Sequence, residues 1–76
     1  MTLGERIVAL RKELGITQGE LAEQVGVCRQ TICHYENDHR DPGLFEAACI
    51  ADALGVSIDY LAKGGNRDYN ELVSVL

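Results

Sequence analysis

Cys28, Arg29, Gln30 and His34 crowd into "GVCRQTICHYEN", residues 26–37, and they concentrate more hydrogen-bonding chemistry than any other short stretch of this sequence. Placed on a helix at about 100° per residue, with Arg29 at zero, the segment splits into two faces. Arg29, Gln30, Cys33, His34 and Asn37 cover roughly 0–140°, while Thr31, Ile32 and Tyr35 cover roughly 200–300°. One face is apolar and the other is nearly all donors and acceptors, with few acids. A DNA major groove asks for such a face, because Arg can bond the two acceptors of guanine and Gln the donor and acceptor of adenine. A helix whose polar side is simply solvated has the same pattern, and these residues alone do not separate the two readings.

Other chemistries fit less well. Cys28, Cys33, His34 and His39 invite a zinc reading, but on a helix Cys28 and Cys33 lie about 140° apart, which opposes joint ligation. No C-x-x-C occurs. Cys28 and Cys33 are candidates for oxidation only because they lie near the positive end of a helix. Cys49 falls among apolar residues and is expected to fill core space. The carboxylates are scattered, with no nucleophile–base pair and no glycine loop for phosphate, so neither an enzyme nor a cofactor is expected.

Net charge is −5 over 76 residues, which weighs mildly against nucleic acid. Its distribution changes that weight. Residues 1–40 hold six acids and five bases, whereas residues 41–76 hold six acids and two bases. A nucleic-acid face belongs in the first half. At 46% apolar the chain is expected to fold as one small domain. No apolar run approaches the ~18–20 residues of a membrane span, and the N-terminus does not read as a signal peptide. The odd number of cysteines, three, suits free thiols in a cytoplasm.

The elements that would position the polar face are well punctuated. "TLGE" (2–5) and "TQGE" (17–20) are capping boxes that open helices. Ile7, Leu10 and Leu14 mark the buried face of the first helix, and Gly15 its stop. Leu21, Ala22 and Val25 mark the second, ended by Gly26. Ile32 and Tyr35 mark the third. "RDPG" (40–43) breaks it, and "LFEAACIADALG" (44–55) makes a fourth with Leu44, Ala47, Ala48, Ile50, Ala51 and Leu54 as its stripe. Ser57 caps a short fifth, "IDYLAKG". The expected fold is all-α, a compact five-helix bundle. After it, "GGNRDYN" (64–70) reads as a hinge, and the apolar "ELVSVL" (71–76) as a strand, a helix or a frayed end.

A small residue at Ala22, a turn glycine at Gly26 and a buried pair at Ile32 and Tyr35 are the spacing of a helix-turn-helix spanning 17–37, with the recognition helix at about 28–37. Residues 7–63 resemble the Cro and lambdoid-repressor, or Xre-like, domain. The segments that carry the resemblance are "LRKELGITQGELAEQVGV", "QTICHYEN", "RDPG" and "IADALGVSIDYL".

The resemblance implies roles. Cys28, Arg29, Gln30 and His34 match positions that face base edges. Thr17, Gln18, Asn37, His39 and Arg40 match positions that contact the DNA backbone, Gln18 also orienting the recognition helix. Arg11 and Glu36 match a structural ion pair between the first and third helices. The fourth and fifth helices match the part that completes the core and offers a dimer surface, with Tyr60 and Leu61 as candidates. Three residues depart from the pattern: Cys28 and Gly43 stand where hydroxyl caps are usual, and His34 stands where longer side chains are common. The thiol cap should be weaker by up to about 1 kcal/mol.

The function expected from these observations is that of a phage-type repressor. It would occupy a palindromic double-stranded operator as a homodimer, with half-sites about one DNA turn apart. Residues 1–63 would form the DNA-binding domain. Residues 64–76 would form a hinge and a tail whose Leu72, Val73, Val75 and Leu76 strengthen the dimer. Control would come from concentration, dimerisation, proteolysis or a protein antagonist. A restriction–modification controller, an antitoxin and a protein-interaction module that has lost DNA binding are the alternatives.

Overall fold

In the computed structural model, which describes residues 1–64, five helices follow one another through short turns: α1 (Leu3–Leu14), α2 (Gln18–Val25), α3 (Arg29–Glu36), α4 (Leu44–Leu54) and α5 (Ile58–Lys63). Among the described residues there is no strand. Residues 71–76, expected as a strand, a helix or a frayed end, lie outside the described residues.

Both capping boxes form. The Thr2 hydroxyl oxygen accepts from Glu5 N–H at 3.2 Å while the Glu5 carboxylate accepts from Thr2 N–H at 2.8 Å. Thr17 and Glu20 repeat the exchange at 3.1 and 2.9 Å. Each box satisfies donors that a helix start leaves open. Ser57 caps α5 through Tyr60 N–H at 3.0 Å. Gly26 ends α2 at φ 88°, a left-handed conformation that turns the chain into α3 within three residues.

The core gathers Ile7 and Leu10 of α1, Leu21 and Ala22 of α2, Ile32 and Tyr35 of α3, Ile50, Ala51 and Leu54 of α4, and Leu61 of α5. Helix α3 is thus backed by α1 and α2, and α4 and α5 close the far side. The α1–α3 crossing is tight. A Cβ on Gly4 would lie 2.5 Å from the carbonyl oxygens of both Tyr35 and Glu36. Glycine is a poor helix former, and this close approach explains its place inside α1.

Several expected core positions differ. Leu44 is 78% exposed rather than part of the α4 stripe. It sits about 100° from the Ile50–Leu54 direction on the first turn, where Glu46 turns inward instead. Its carboxylate accepts a hydrogen bond from the Tyr35 hydroxyl. Leu14, on the last turn of α1, is also more exposed than buried. Cys49 is only half-buried, on the flank of α4 rather than inside the core.

Leu61 corrects the expectation for a dimer surface. At 1% exposure its side chain is spent on the intramolecular core and has no area left for a partner. The chain above it is fastened by Arg6, whose Nε donates to Leu61 O, Nη2 to Ala62 O (both 2.7 Å) and Nη1 to Met1 O at 2.9 Å. A buried guanidinium is thereby satisfied by the open carbonyls at the end of α5, where a cation also suits the helix dipole.

Candidate nucleic-acid interface

The frame of the site is a carboxylate. Glu36, the last residue of α3, is 8% exposed. Its Oε2 accepts from Arg11 Nε at 2.7 Å, and its Oε1 from Arg11 Nη2 at 3.3 Å and from Gln18 Nε2 at 2.8 Å. Arg11 Nη1 reaches Ile16 O at 3.0 Å. One charge therefore joins α1, the α1–α2 linker, the first residue of α2 and the end of α3. Such charge-assisted bonds hold best where water is excluded.

Gln18 has one amide N–H committed to this network, so it braces α3 directly. The other N–H of its amide nitrogen is the group it can offer outward. Thr17 Oγ1 is occupied as a cap acceptor but keeps a hydroxyl proton to donate.

The opposite side of α3 carries Arg29 and Gln30, both exposed, with Cys33 and His34 half-buried beside them. Cys28 is the residue that precedes the helix. Its thiol makes no cap hydrogen bond. Instead Sγ lies 3.1 Å from Thr31 Oγ1. The Thr31 hydroxyl, and then the nearby backbone N–H groups of the first turn, hold the thiol below its ordinary range.

Past the helix the chain turns at Asn37 and Asp38. Asn37 Nδ2 donates to Cys33 O at 2.8 Å, which closes the end of α3. The His34 and His39 rings stand 6.0 Å apart, tilted by 45°. Arg40 follows in the exposed loop. The structure thus gathers Cys28, Arg29, Gln30, His34, Asn37, His39 and Arg40 on and around one helix, with Thr17 and Gln18 opening the helix beside it. Among the described residues no three His, Cys, Asp or Glu side chains come together in a way that could hold a metal ion.

Two residues that shape the site, Asp38 and Glu46, carry no clear mark in the sequence. Asp38 adopts φ 58°, a left-handed conformation that Asp tolerates better than most residues. Its Oδ2 accepts from the Thr2 hydroxyl at 2.6 Å and its Oδ1 from Gly4 N–H at 2.9 Å, so the loop after α3 is pinned to the start of α1. Those bonds, Thr2 first, hold its carboxyl below the usual range. Glu46 pins the start of α4 to Tyr35. Burial, and then that bond, push the Tyr35 hydroxyl above its usual range. A buried Tyr oxygen needs a partner, and that rule was the available signal.

Comparison with known proteins places this geometry in a family context. The family described as "Helix-turn-helix" matches residues 7–61. The immunity repressor protein of Bacillus phage phi105 is 36% identical over 76 residues, which is 92% of this chain and 53% of that protein. Repressor protein C2 of Salmonella phage P22 is 40% identical over 62 residues, 82% of this chain and 29% of that one. The chain therefore spans about half the length of the first relative and less than a third of the second. The crystal structure of the P22 c2 repressor with a synthetic operator superposes with a TM-score of 0.83 at 38% identity, covering 86% of this chain and 98% of that one. The restriction–modification controller protein C.AhdI of Aeromonas hydrophila superposes at 0.75 with 29% identity, covering 78% and 89%.

Proposed function

This chain belongs to the helix-turn-helix family, and we propose on that footing that it is a sequence-specific DNA-binding regulator, a phage-type repressor acting on a palindromic operator as a homodimer. The observation that carries the reading is the division of labour around α3. Its buried side is locked by the Glu36 network, while Arg29 and Gln30 are exposed and their side chains bond to no other described residue. A rigid helix presenting such side chains is what base-edge recognition requires. The phi105 and P22 proteins are repressors by name, and the P22 neighbour is bound to an operator, which supports the same reading here.

In this reading Cys28, Arg29, Gln30 and His34 meet base edges. Thr17, Gln18, Asn37, His39 and Arg40 meet the backbone. Repression follows from occluding polymerase in the cytoplasm, under control of concentration or a protein antagonist. Tyr60, still partly exposed, and the tail residues Leu72, Val73, Val75 and Leu76 contribute to the dimer. No helix among the described residues is long and apolar enough to cross a membrane.

Selection of bound duplexes from a random DNA pool tests the proposal. The expected product is a palindrome whose half-sites lie about one helical turn, ~10 bp, apart. Absence of any enriched sequence sinks it and favours a protein-interaction module. The likeness to C.AhdI supports a second reading, a restriction–modification controller, which an adjacent methyltransferase reading frame would distinguish.

A further inference from the structure

Asp38 holds a backbone conformation that glycine usually fills. Its N–H donates to Tyr35 O at 3.2 Å, and the N–H of His39 to His34 O at 3.0 Å, the paired closure of a Schellman helix end. At φ 58° Asp38 is left-handed, a conformation that glycine reaches without a steric cost. The other positive-φ positions among the described residues are all glycines: Gly15, Gly26, Gly55 and Gly64. A non-glycine outlier of this kind points to a task for its side chain. The Asp38 carboxylate accepts from the Thr2 hydroxyl at 2.6 Å and from Gly4 N–H at 2.9 Å, and so clasps the start of α1. Gly4 leaves room for it, since a Cβ there would lie 2.8 Å from Asp38 Oδ1.

We propose that Asp38 is a positioning residue for DNA binding: its clasp on α1 fixes the chain where it leaves α3 and holds Arg40 ready for a phosphate. This rests on the operator-binding reading above. In it the start of α1, which touches no DNA, becomes part of the machinery of the site through Thr2 and Gly4.

Electrostatics and order both favour a role in binding. A carboxylate next to His39 and two residues before Arg40 would repel the phosphates that those residues are assigned to meet. The clasp turns it onto the first turn of α1, where open N–H groups and the positive end of the helix dipole counter its charge. An acid suits that loop only because its side chain is held there. Arg40 is exposed on the loop. Asn37 closes the end of α3 from within the helix, through Cys33 O, whereas Asp38 ties the same turn to a second helix. Holding a loop in its bound shape before the partner arrives removes an ordering cost from association.

The test uses the full chain and the palindrome recovered by selection. Asp38→Gly keeps the left-handed turn and removes the clasp, Arg40→Ala removes the phosphate contact, and a double variant joins the two. Each is titrated well below its melting midpoint. The expected result for Asp38→Gly is a loss of about fivefold or more in affinity with base preference unchanged. The slope of log K against log salt should become shallower by about one for each bound copy. In the Arg40→Ala background Asp38→Gly should cause no further loss. Asp38→Asn, which keeps an acceptor for Gly4 N–H, should recover most of the affinity. A lower melting midpoint with an unchanged salt slope overturns the proposal, because Asp38 would then serve the fold alone. Binding as tight as the wild type or tighter also overturns it, since removing a bystander acid beside phosphates strengthens binding. So does an equal loss with and without the Arg40 side chain. If the wild-type chain selects no sequence at all, the operator-binding reading itself has failed and the positioning role falls with it.

Discussion

Arg11 and Glu36 meet at two points, Nε to Oε2 at 2.7 Å and Nη2 to Oε1 at 3.3 Å, and the pair ties the first helix to the end of the third. Their side chains are 14% and 5% exposed. In that setting the loss of one partner matters more than the strength of the pair, because the other charge stays behind in a poor solvent. Gln18 alone cannot neutralise Glu36.

Arg11→Met should therefore lower stability by about 3 kcal/mol or more. For a domain of this size each kcal/mol is worth roughly 4–8 °C, so the midpoint should fall by more than about 12 °C. A melt superimposable on the wild type would refute the role assigned to the pair. Operator binding measured well below the midpoint should suffer too, since Glu36 also holds Gln18 and the end of α3.

Gly4→Ala tests the α1–α3 crossing. Helix propensity alone favours the variant by about 1 kcal/mol. The added Cβ, 2.5 Å from two carbonyl oxygens, forces the helices apart. Overpacking of this kind costs about 1–3 kcal/mol, so the net effect should be destabilising. A variant more stable than the wild type would show that the crossing relaxes easily.

The Asp38 carboxyl is held below its usual range by the Thr2 hydroxyl and then by Gly4 N–H. Its folded-state pKa thus lies below the unfolded value of about 3.9, so its contribution is fully present above pH ~4. It is lost as pH falls through the depressed folded value. Glu5 is depressed as well, by Thr2, and adds to the same acid limb. Asp38→Asn keeps a side chain that tolerates positive φ, and it should flatten the decline in melting temperature between pH 4 and more acid conditions. An unchanged acid limb would remove Asp38 from the account.

What the sequence made legible was what depends on neighbours in the chain. Thr2 with Glu5, and Thr17 with Glu20, announce helix starts because a capping box is complete within four residues. Ile32 and Tyr35 announce a buried side by spacing. The Arg11–Glu36 pair joins residues 25 apart, and only the family resemblance pointed to it. Arg6 had no such guide: its partners are carbonyls of Leu61 and Ala62, and a backbone acceptor leaves no trace in residue type. Leu44 was misplaced because helical periodicity assigns a face without knowing where the neighbouring helix stops. The recognition face itself rested on side-chain chemistry, which a sequence displays directly.

Arg29→Ala and Gln30→Ala separate recognition from folding. Both side chains are exposed, so melts should be near the wild type. Each should weaken specific binding by about 1–3 kcal/mol and relax preference at one base pair. Retention of full specificity by either folded variant would move the base-reading face elsewhere on α3.

The salt dependence of DNA binding should be shallow. Near the motif the fixed cations are Arg29 and Arg40, and Arg29 is assigned to bases. The remaining phosphate contacts fall to amides, the Thr17 hydroxyl and the N–H groups at helix starts. The start of α3, where Cys28 makes no side-chain cap hydrogen bond, is such a helix start. These donors carry only partial charge, so they hold phosphate without releasing a full counterion each. With about two to four phosphates neutralised per dimer, the slope of log K against log salt should be about −2 to −4. Titrations of the selected palindrome between 50 and 200 mM salt measure the slope. A slope near −10 at neutral pH would mean that other cations of the chain reach the DNA, and the backbone contacts assigned here would have to be redrawn.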